Sequence, residues 1–260
     1  MCTLIALHRC TPDAPLVIAA NRDEHLDRPA EGPALRVGGR HPVAAPRDLR
    51  AGGTWLGVNG AGLLAAVTNR PVETRDDSRR SRGQLVLEAL EAGSVREAGD
   101  LASGIEPDAF NPFNLLVADG REALSVIYDG TARIEELAPG PHVICNADPD
   151  DRSVPKVARL LEEAGHAARL PGDAKLEALA EILRAHRGGP EPLGHTCIHA
   201  RGYGTRSSTL LRLGPEAEAA WWFADGPPCQ TRYEDYSHLL HQLDRGDEQV
   251  SGGVMTRSMV

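Results

Sequence analysis

Two short apolar runs begin the chain, CTLIALH at residues 2–8 and PLVIAA at residues 15–20. The segment CTPDA at residues 10–14 separates them and is rich in turn formers, so the pattern predicts an N-terminal hairpin. The second run leads directly into a polar cluster, residues 21–24, which read Asn-Arg-Asp-Glu. Strand ends that open into loops commonly carry functional side chains. This hairpin is therefore the first place to look for a site.

The rest of the chain reads as blocks of strands and blocks of helices. Asn59-Gly60 within residues 54–69 predicts a tight hairpin, and three strand-like runs within residues 113–138 predict a meander. Strand patterns return in HVICN, HTCIHA, STLLRL and EAAWWFAD. Helices are predicted from Ser81 to Gly93, from Ser94 onward, at 153–165, and at 174–186 with Asp173 as its cap. A Gly-, Pro- and Arg-rich stretch at 28–53 predicts a long surface loop.

This order contains too few strand-helix-strand alternations for a parallel doubly wound sheet, and it favours an α+β fold with helices grouped in layers. A length of 260 residues suits a single domain over residues 1–243. The Gly/Ser-rich, polar tail at 244–260 is expected to be disordered.

Composition limits the possible partners. The chain has 28 basic and 37 acidic residues, a net charge of −9, so we expect neither nucleic acid nor an anionic membrane surface as a partner. No apolar run is long enough to span a bilayer and no signal peptide is recognisable, so we expect a cytoplasmic protein without membrane insertion. The five cysteines include no Cys-x-x-Cys pair, which argues against a disulfide framework or a zinc ribbon. The oligomeric state is open.

Cys2 is the sharpest chemical feature. Removal of Met1 would leave a cysteine with both a thiol and a free α-amine, so that nucleophile and base share one residue. The amine titrates near ~7.7 to 8.0 and the thiol near ~8.5, so the amine can accept the thiol proton at neutral pH. The alternative is a small buried hydrophobic residue at the start of a strand.

Other polar residues follow apolar strands. Asn69 in AAVTNR and Asn146 in VICNAD end strands with amide side chains, which can donate to an oxyanion without titrating. Arg201 and Arg206 flank a Gly-rich loop that could bind a carboxylate or phosphate. Ordinary turn residues are the alternative for each of these positions.

Taken together, these segments resemble the NRDE family, which is named for its Asn-Arg-Asp-Glu motif and is also called the transport and Golgi organisation family. The resemblance runs over about residues 1–236. It includes Met-Cys at the start, AANRDE at 19–24, GGTWLGVNGAGLLAAVTNR at 52–70, SRG at 81–83, NPFNLL at 111–116, CNA followed by PK at 145–156, and YGTRSST at 203–209.

This family looks like a branch of the N-terminal nucleophile (Ntn) hydrolases, which include bile-salt hydrolases and penicillin V acylases. The resemblance implies a four-layer αββα sandwich of two antiparallel sheets flanked by helices. It also implies that Cys2 is the nucleophile, that Asp23 holds the α-amine, that Asn69 and Asn146 form the oxyanion site, and that Arg206 supports the nucleophile. Substrate contacts are then expected from Asn21, Arg22, Glu24 and Arg201. One departure is Ala20, where these hydrolases usually carry an arginine.

Three functions compete. The first is hydrolysis or acyl transfer on a small non-peptide amide through a thioester at Cys2, without a cofactor. The second is a catalytically silent protein that binds or traffics haem or acyl-thioester lipids. No Cys-x-x-Cys-His is present, so haem would be held non-covalently. The third and weakest is a metal site at His195, Cys197 and His199, which alternate along a predicted strand but lack a fourth ligand; no metal ligand is otherwise predicted.

Overall fold

The structure is a computed structural model that describes residues 2–11, 14–189, 191–214 and 219–243. The tail predicted at 244–260 lies outside the described residues. Within them, the strands form two antiparallel sheets, and each sheet carries a pair of helices on its outer face.

The first sheet has the strand order β10-β1-β2-β12-β13-β14, with β11 paired to β12 beside that path. Its central pairs are β1 with β2 and β2 with β12, in which Thr3 lies opposite Asn21 and Thr205 lies opposite Asp23. The Asn-Arg-Asp-Glu motif is therefore part of a central strand. The strands are β1 (Thr3–Thr11), β2 (Ala14–His25), β10 (Gly140–Ile144), β11 (His199–Ala200), β12 (Tyr203–Leu213), β13 (Ala220–Ala224) and β14 (Glu234–Asp235).

The second sheet follows chain order from β3 to β9, and its neighbours are joined by short connections except β6 and β7, between which the chain forms two helices. The predicted hairpin around Asn59 and the predicted three-strand meander are both confirmed. Asn59 ends β5, where its side-chain oxygen accepts hydrogen bonds from the backbone of Ala61 and Leu63. The strands are β3 (Ala30–Arg36), β4 (Val43–Asp48), β5 (Leu56–Asn59), β6 (Leu64–Asn69), β7 (Phe113–Ala118), β8 (Ala123–Tyr128) and β9 (Ala132–Glu136).

Three apolar clusters establish four layers. The central cluster joins residues of both sheets, such as Ile18 and Leu211 with Leu56 and Leu116. The second cluster packs α1 (Arg82–Ala89) and α2 (Val95–Ser103) on the second sheet. The third packs α3 (Pro155–Ala167) and α4 (Gly172–Arg184) on the first. Alternating side chains along each strand face opposite layers, and the αββα prediction is confirmed.

The helix starts follow their sequence signals in part. Ser81 and Ser94 cap α1 and α2 by accepting from Gly83 N and Glu97 N. The prediction that Asp173 caps α4 is wrong, because the cap position is Pro171 and Asp173 lies in the first turn. In that position its negative charge still stabilises the helix by interacting with the positive end of the helix dipole.

Two strand predictions need correction. The predicted loop at 28–53 contains β3 and β4, because β3 pairs along β4 despite its Gly and Pro content, with a register shift between Glu31 and Ala34. Of HTCIHA, only His199 and Ala200 form a strand, so His195 and Cys197 do not alternate along one strand face. No helix of the described residues is long and apolar enough to cross a membrane.

Candidate functional site

Cys2 lies directly before β1 and lines a polar cavity of about 240 Å³. Burial raises the pKa of its thiol, and the carboxylate of Asp23 adds to that rise, whereas the charge of Arg22 opposes it. A thiol held in its neutral form needs a base before it can act as a nucleophile.

Asp23 lies on β2 and also lines the cavity. It is 1% exposed, and its Oδ1 accepts a 2.6 Å hydrogen bond from the hydroxyl of Thr205 on β12. Burial raises the pKa of Asp23 to about 7, although the positive charge of Lys156 and the hydrogen bond from Thr205 oppose the rise. The carboxyl group therefore titrates near neutral pH.

Arg22 is the neighbour of Asp23 that faces the other sheet. Its Nη2 donates to Oδ2 of Asp48 at 2.8 Å, and its guanidinium lies 4.3 Å from the ring centre of Trp55. Arg28 Nε donates to the same carboxylate oxygen at 2.6 Å. These contacts join the first sheet to the second across the cavity, because Asp48 and Trp55 belong to the second sheet and its loops.

The remaining residues of the motif have different surroundings. Glu24 lines the cavity and pairs with Arg28 at 3.4 Å. Asn21 does not line it: its Nδ2 donates to the carbonyls of Leu183 and Thr196, and its Oδ1 accepts from Ser208. Asn21 therefore links β2 to the end of α4 and to the segment that follows it.

The two predicted oxyanion residues lie at the ends of β6 and β10. Asn69 lines the cavity with Cys2. Asn146 Nδ2 donates to the backbone carbonyl of Asn69 at 2.5 Å, which links the two strand ends. Thr68 Oγ1 reinforces this link by donating to the carbonyl of Cys145. Asn146 itself faces a second cavity, of about 600 Å³, which Lys156 also lines.

The two predicted arginines lie apart from the cavity. Arg201 is exposed in the turn between β11 and β12. Arg206 is the extra residue of a β-bulge, since the pairing of β12 with β2 shifts between Thr205 and Ser207. Its Nε is buried without a hydrogen-bond partner among the described residues, and neither arginine lines the cavity at Cys2.

Arg82 is a cavity residue that our sequence reasoning did not select. Its Nη1 donates to the carbonyl of Pro112, and it forms no ion pair with a described carboxylate. Burial lowers the pKa of Arg82 to about 10, and the charge of Arg75 adds to this, while Cys2 and Glu24 oppose it. Arg82 therefore places a positive charge near the thiol without an ion-pair contact to a described carboxylate.

Close backbone packing places Arg82 there. A Cβ on Gly53 would lie 2.3 Å from the carbonyl carbon of Gly83, and Thr54 N donates to Gly83 O. Only glycine allows this approach. The signal in the sequence was the SRG motif, which contains Arg82.

Comparison with known proteins identifies the family of this chain. A family model described as Transport and Golgi organisation 2 matches residues 1–222. The chain belongs to this family. The Transport and Golgi organization protein 2 homolog of Bos taurus is 30% identical over 234 residues, which cover 79% of this chain and 84% of that protein.

Solved structures share the fold at low sequence identity. A variant of conjugated bile acid hydrolase from Clostridium perfringens superposes with a TM-score of 0.60 at 12% identity, covering 93% of this chain and 94% of that chain. The N-acylethanolamine-hydrolyzing acid amidase ortholog of Caenorhabditis elegans gives a TM-score of 0.52 at 15% identity, covering 81% of this chain and 92% of that chain. This family member therefore has the fold of the Ntn hydrolases.

Proposed function

We propose that the protein is an Ntn-type cysteine hydrolase, or a related acyl-transfer enzyme, that acts on a small non-peptide amide through a thioester at Cys2 after Met1 is removed. The observation that carries the proposal is that Cys2, Asp23 and Asn69 line one cavity. The hydrolases and amidases that share this fold support the same chemistry.

The reaction divides between the two groups of Cys2. The freed α-amine, held by the Asp23 carboxylate, takes the thiol proton, and the sulfur attacks the amide carbon. The side-chain N–H group of Asn69, which lines the cavity, stabilises the oxyanion, and Asn146 holds the end of β6 in place by donating to the backbone carbonyl of Asn69. The C–N bond then breaks as the α-ammonium returns its proton to the leaving amine. Water, deprotonated by the same amine, hydrolyses the thioester to a carboxylic acid and restores the thiol.

The positive charge near Cys2 comes from different arginines than in the related hydrolases. Ala20 packs against the core between the sheets, so it leaves no guanidinium at the position where related hydrolases carry one. Arg22 and Arg82 supply positive charge near the Cys2 thiol instead. Because Arg82 has no partner carboxylate within the described residues, we propose that the substrate carries an anionic group.

The test is a panel of N-acyl amides with and without a carboxylate, assayed with a protein whose cleavable N-terminal tag leaves Cys2 as the first residue. We expect turnover only after tag removal, loss of turnover in Cys2→Ala, and normal turnover in Cys10→Ser, a matched half-buried cysteine of β1. Undiminished turnover in Cys2→Ala or in the tagged protein would contradict the proposal.

A second candidate function is binding or trafficking of haem or acyl-thioester lipids in the cytoplasm. Two observations favour it: the family description names transport, and the usual arginine is replaced by Ala20. A saturable Soret shift on haem titration, together with no turnover of any amide, would support this function over hydrolysis. Turnover that depends on Cys2, with no saturable shift, would support hydrolysis.

A further inference from the structure

Two cysteines and two histidines converge on the side of β12 that faces away from β2. They are His186, Cys197, His199 and Cys229, and one ligand atom from each lies within 4.8 Å of all the others. We propose that these four side chains form a tetrahedral zinc site that is separate from the cavity at Cys2. The proposal is independent of the hydrolase function.

Sheet topology brings these residues together from three segments. His186 follows the C-terminus of α4, and His199 lies in β11. Both β11 and β13 pair with β12, and β13 runs antiparallel to it, so the chain leaving β13 at Ala224 heads toward β11. The loop after β13 then carries Cys229 to His199.

The distances suit one tetrahedral metal ion. The two Sγ atoms of Cys197 and Cys229 are 3.5 Å apart. His199 Nε2 lies 3.1 Å from Sγ of Cys229 and 3.7 Å from Sγ of Cys197. A zinc ion with Zn–S bonds of ~2.3 Å and Zn–N bonds of ~2.0 Å places its tetrahedral ligand atoms about 3.3 to 3.8 Å apart.

The fourth ligand also lies in reach. The rings of His186 and His199 have their centres 5.1 Å apart. His195, which the sequence grouped with Cys197 and His199, is not part of the cluster, and its Nε2 instead contacts the carbonyl of Gly189 at 2.9 Å.

Hydrogen bonds hold the three segments in place. Cys197 N donates to the carbonyl of Ala185 next to His186, and Arg184 Nε donates to the carbonyl of Pro228 next to Cys229. Ile198 N, which lies between Cys197 and His199 in the sequence, donates to Thr205 Oγ1. A largely preformed set of ligands is typical of a structural metal site.

The donor types select the metal and the role. Two thiolates and two imidazoles in tetrahedral geometry favour zinc over hard cations such as Mg²⁺ or Ca²⁺. Four protein ligands leave no open position, which indicates a structural role. On binding, the two thiols release their protons to solvent, and the charge of two thiolates balances that of the Zn²⁺ ion.

The first test is metal analysis of the full chain, purified without chelator and with a phosphine reductant. We expect about one zinc ion per chain. After the metal is removed and replaced by Co²⁺, we expect thiolate-to-cobalt charge-transfer bands and the ligand-field bands of a tetrahedral centre. Alkylation followed by peptide mapping should show Cys197 and Cys229 protected by zinc and Cys10 unprotected.

Variants assign the ligands. Cys229→Ser and His199→Asn should each weaken zinc binding at least about 100-fold, more than the loss usual for residues that only orient a ligand. Cys10→Ser and His195→Asn are the matched controls and should bind zinc like the parent protein. If a ligand variant does not fold, the cobalt spectrum and the alkylation pattern of the parent protein still test the site.

Three results would overturn the proposal. The reduced, zinc-supplied protein could retain far less than one equivalent of zinc. Its cobalt form could lack the thiolate bands. Alternatively, the protein could contain a Cys197–Cys229 disulfide and bind no metal, because a disulfide would bring the sulfur atoms to about 2.05 Å and remove both thiolates.

Discussion

The hydroxyl of Thr205 donates a 2.6 Å hydrogen bond to Oδ1 of Asp23, across 182 positions of sequence. The same hydroxyl oxygen accepts from Ile198 N at 2.9 Å. Thr205 therefore fixes the carboxyl group beside Cys2 and joins it to the segment that carries Cys197 and His199.

Thr205→Val should move the acid limb of the activity profile to higher pH. The hydrogen bond from Thr205 stabilises the charged form of Asp23 and so lowers its pKa; without it the pKa rises further. The lost acceptor for Ile198 N should cost about 1 to 3 kcal/mol of unfolding free energy. Thr205→Ser keeps the hydroxyl and should resemble the parent protein. An acid limb that does not move in Thr205→Val would show that the hydrogen bond from Thr205 does not set the pKa that controls activity.

Asp23→Asn should abolish activity while improving stability at neutral and higher pH. The unfolded chain releases the Asp23 proton near pH ~3.9, whereas the folded protein holds it until about pH 7. The folded state therefore binds more protons in this window, and the stability that this group contributes is lost as pH rises through about 7.

Urea unfolding of both proteins at several pH values isolates this effect. The stability of Asp23→Asn relative to the parent should increase from acid pH to pH 8, because only the parent has the titrating group. Parallel pH profiles for the two proteins would contradict the raised pKa of Asp23. In the parent protein, kcat/KM should fall as pH drops below about 7.

Arg82→Met should weaken the binding of anionic substrates. Arg82 lies in the cavity without a described partner carboxylate, so its loss should raise KM at least about 10-fold for a carboxylate-bearing amide and change KM little for a neutral one. Arg80→Met is the matched control, because Arg80 lines the same cavity but pairs with Glu88. Equal effects of both variants on both substrates would contradict the assignment.

Asn21→Ala should destabilise the fold rather than remove a substrate contact. The substitution leaves the carbonyls of Leu183 and Thr196 without their donor, at a cost of about 2 to 3 kcal/mol of unfolding free energy. Ser208→Ala removes the hydrogen bond to Asn21 Oδ1 and also the one between Ser208 Oγ and the hydroxyl of Tyr233, so it should be destabilising as well. Denaturant unfolding measures both, and a change in Asn21→Ala below about 0.5 kcal/mol would remove its bracing role.

Local patterns predicted much of the fold. The hairpin of β1 and β2, the Asn59 turn, the β7 to β9 meander and all four helices follow from short-range periodicity and turn chemistry. The strands β3 and β4 were missed, because their pairing depends on a neighbouring strand and not on their own Gly- and Pro-rich sequence.

The candidate site was predictable to a similar extent. Cys2 and Asp23 lie near the same end of the hairpin of β1 and β2, where Thr3 is opposite Asn21, and the resemblance to the NRDE family implied that they act together. Thr205 and Arg82 reach the same region only through strand pairing and a glycine-to-glycine contact, which no local pattern encodes. The position of Cys229 beside His199 depends in the same way on the order of β11, β12 and β13.

The central claim is that Cys2 works as an N-terminal residue, and the intact mass of the protein from a native-like host tests it most directly. We predict a mass lower by one methionine, which gives Cys2 the free α-amine that the reaction needs as its base. A mass that includes Met1 would show that the nitrogen of Cys2 is part of a peptide bond and is not basic, and this result would contradict the mechanism.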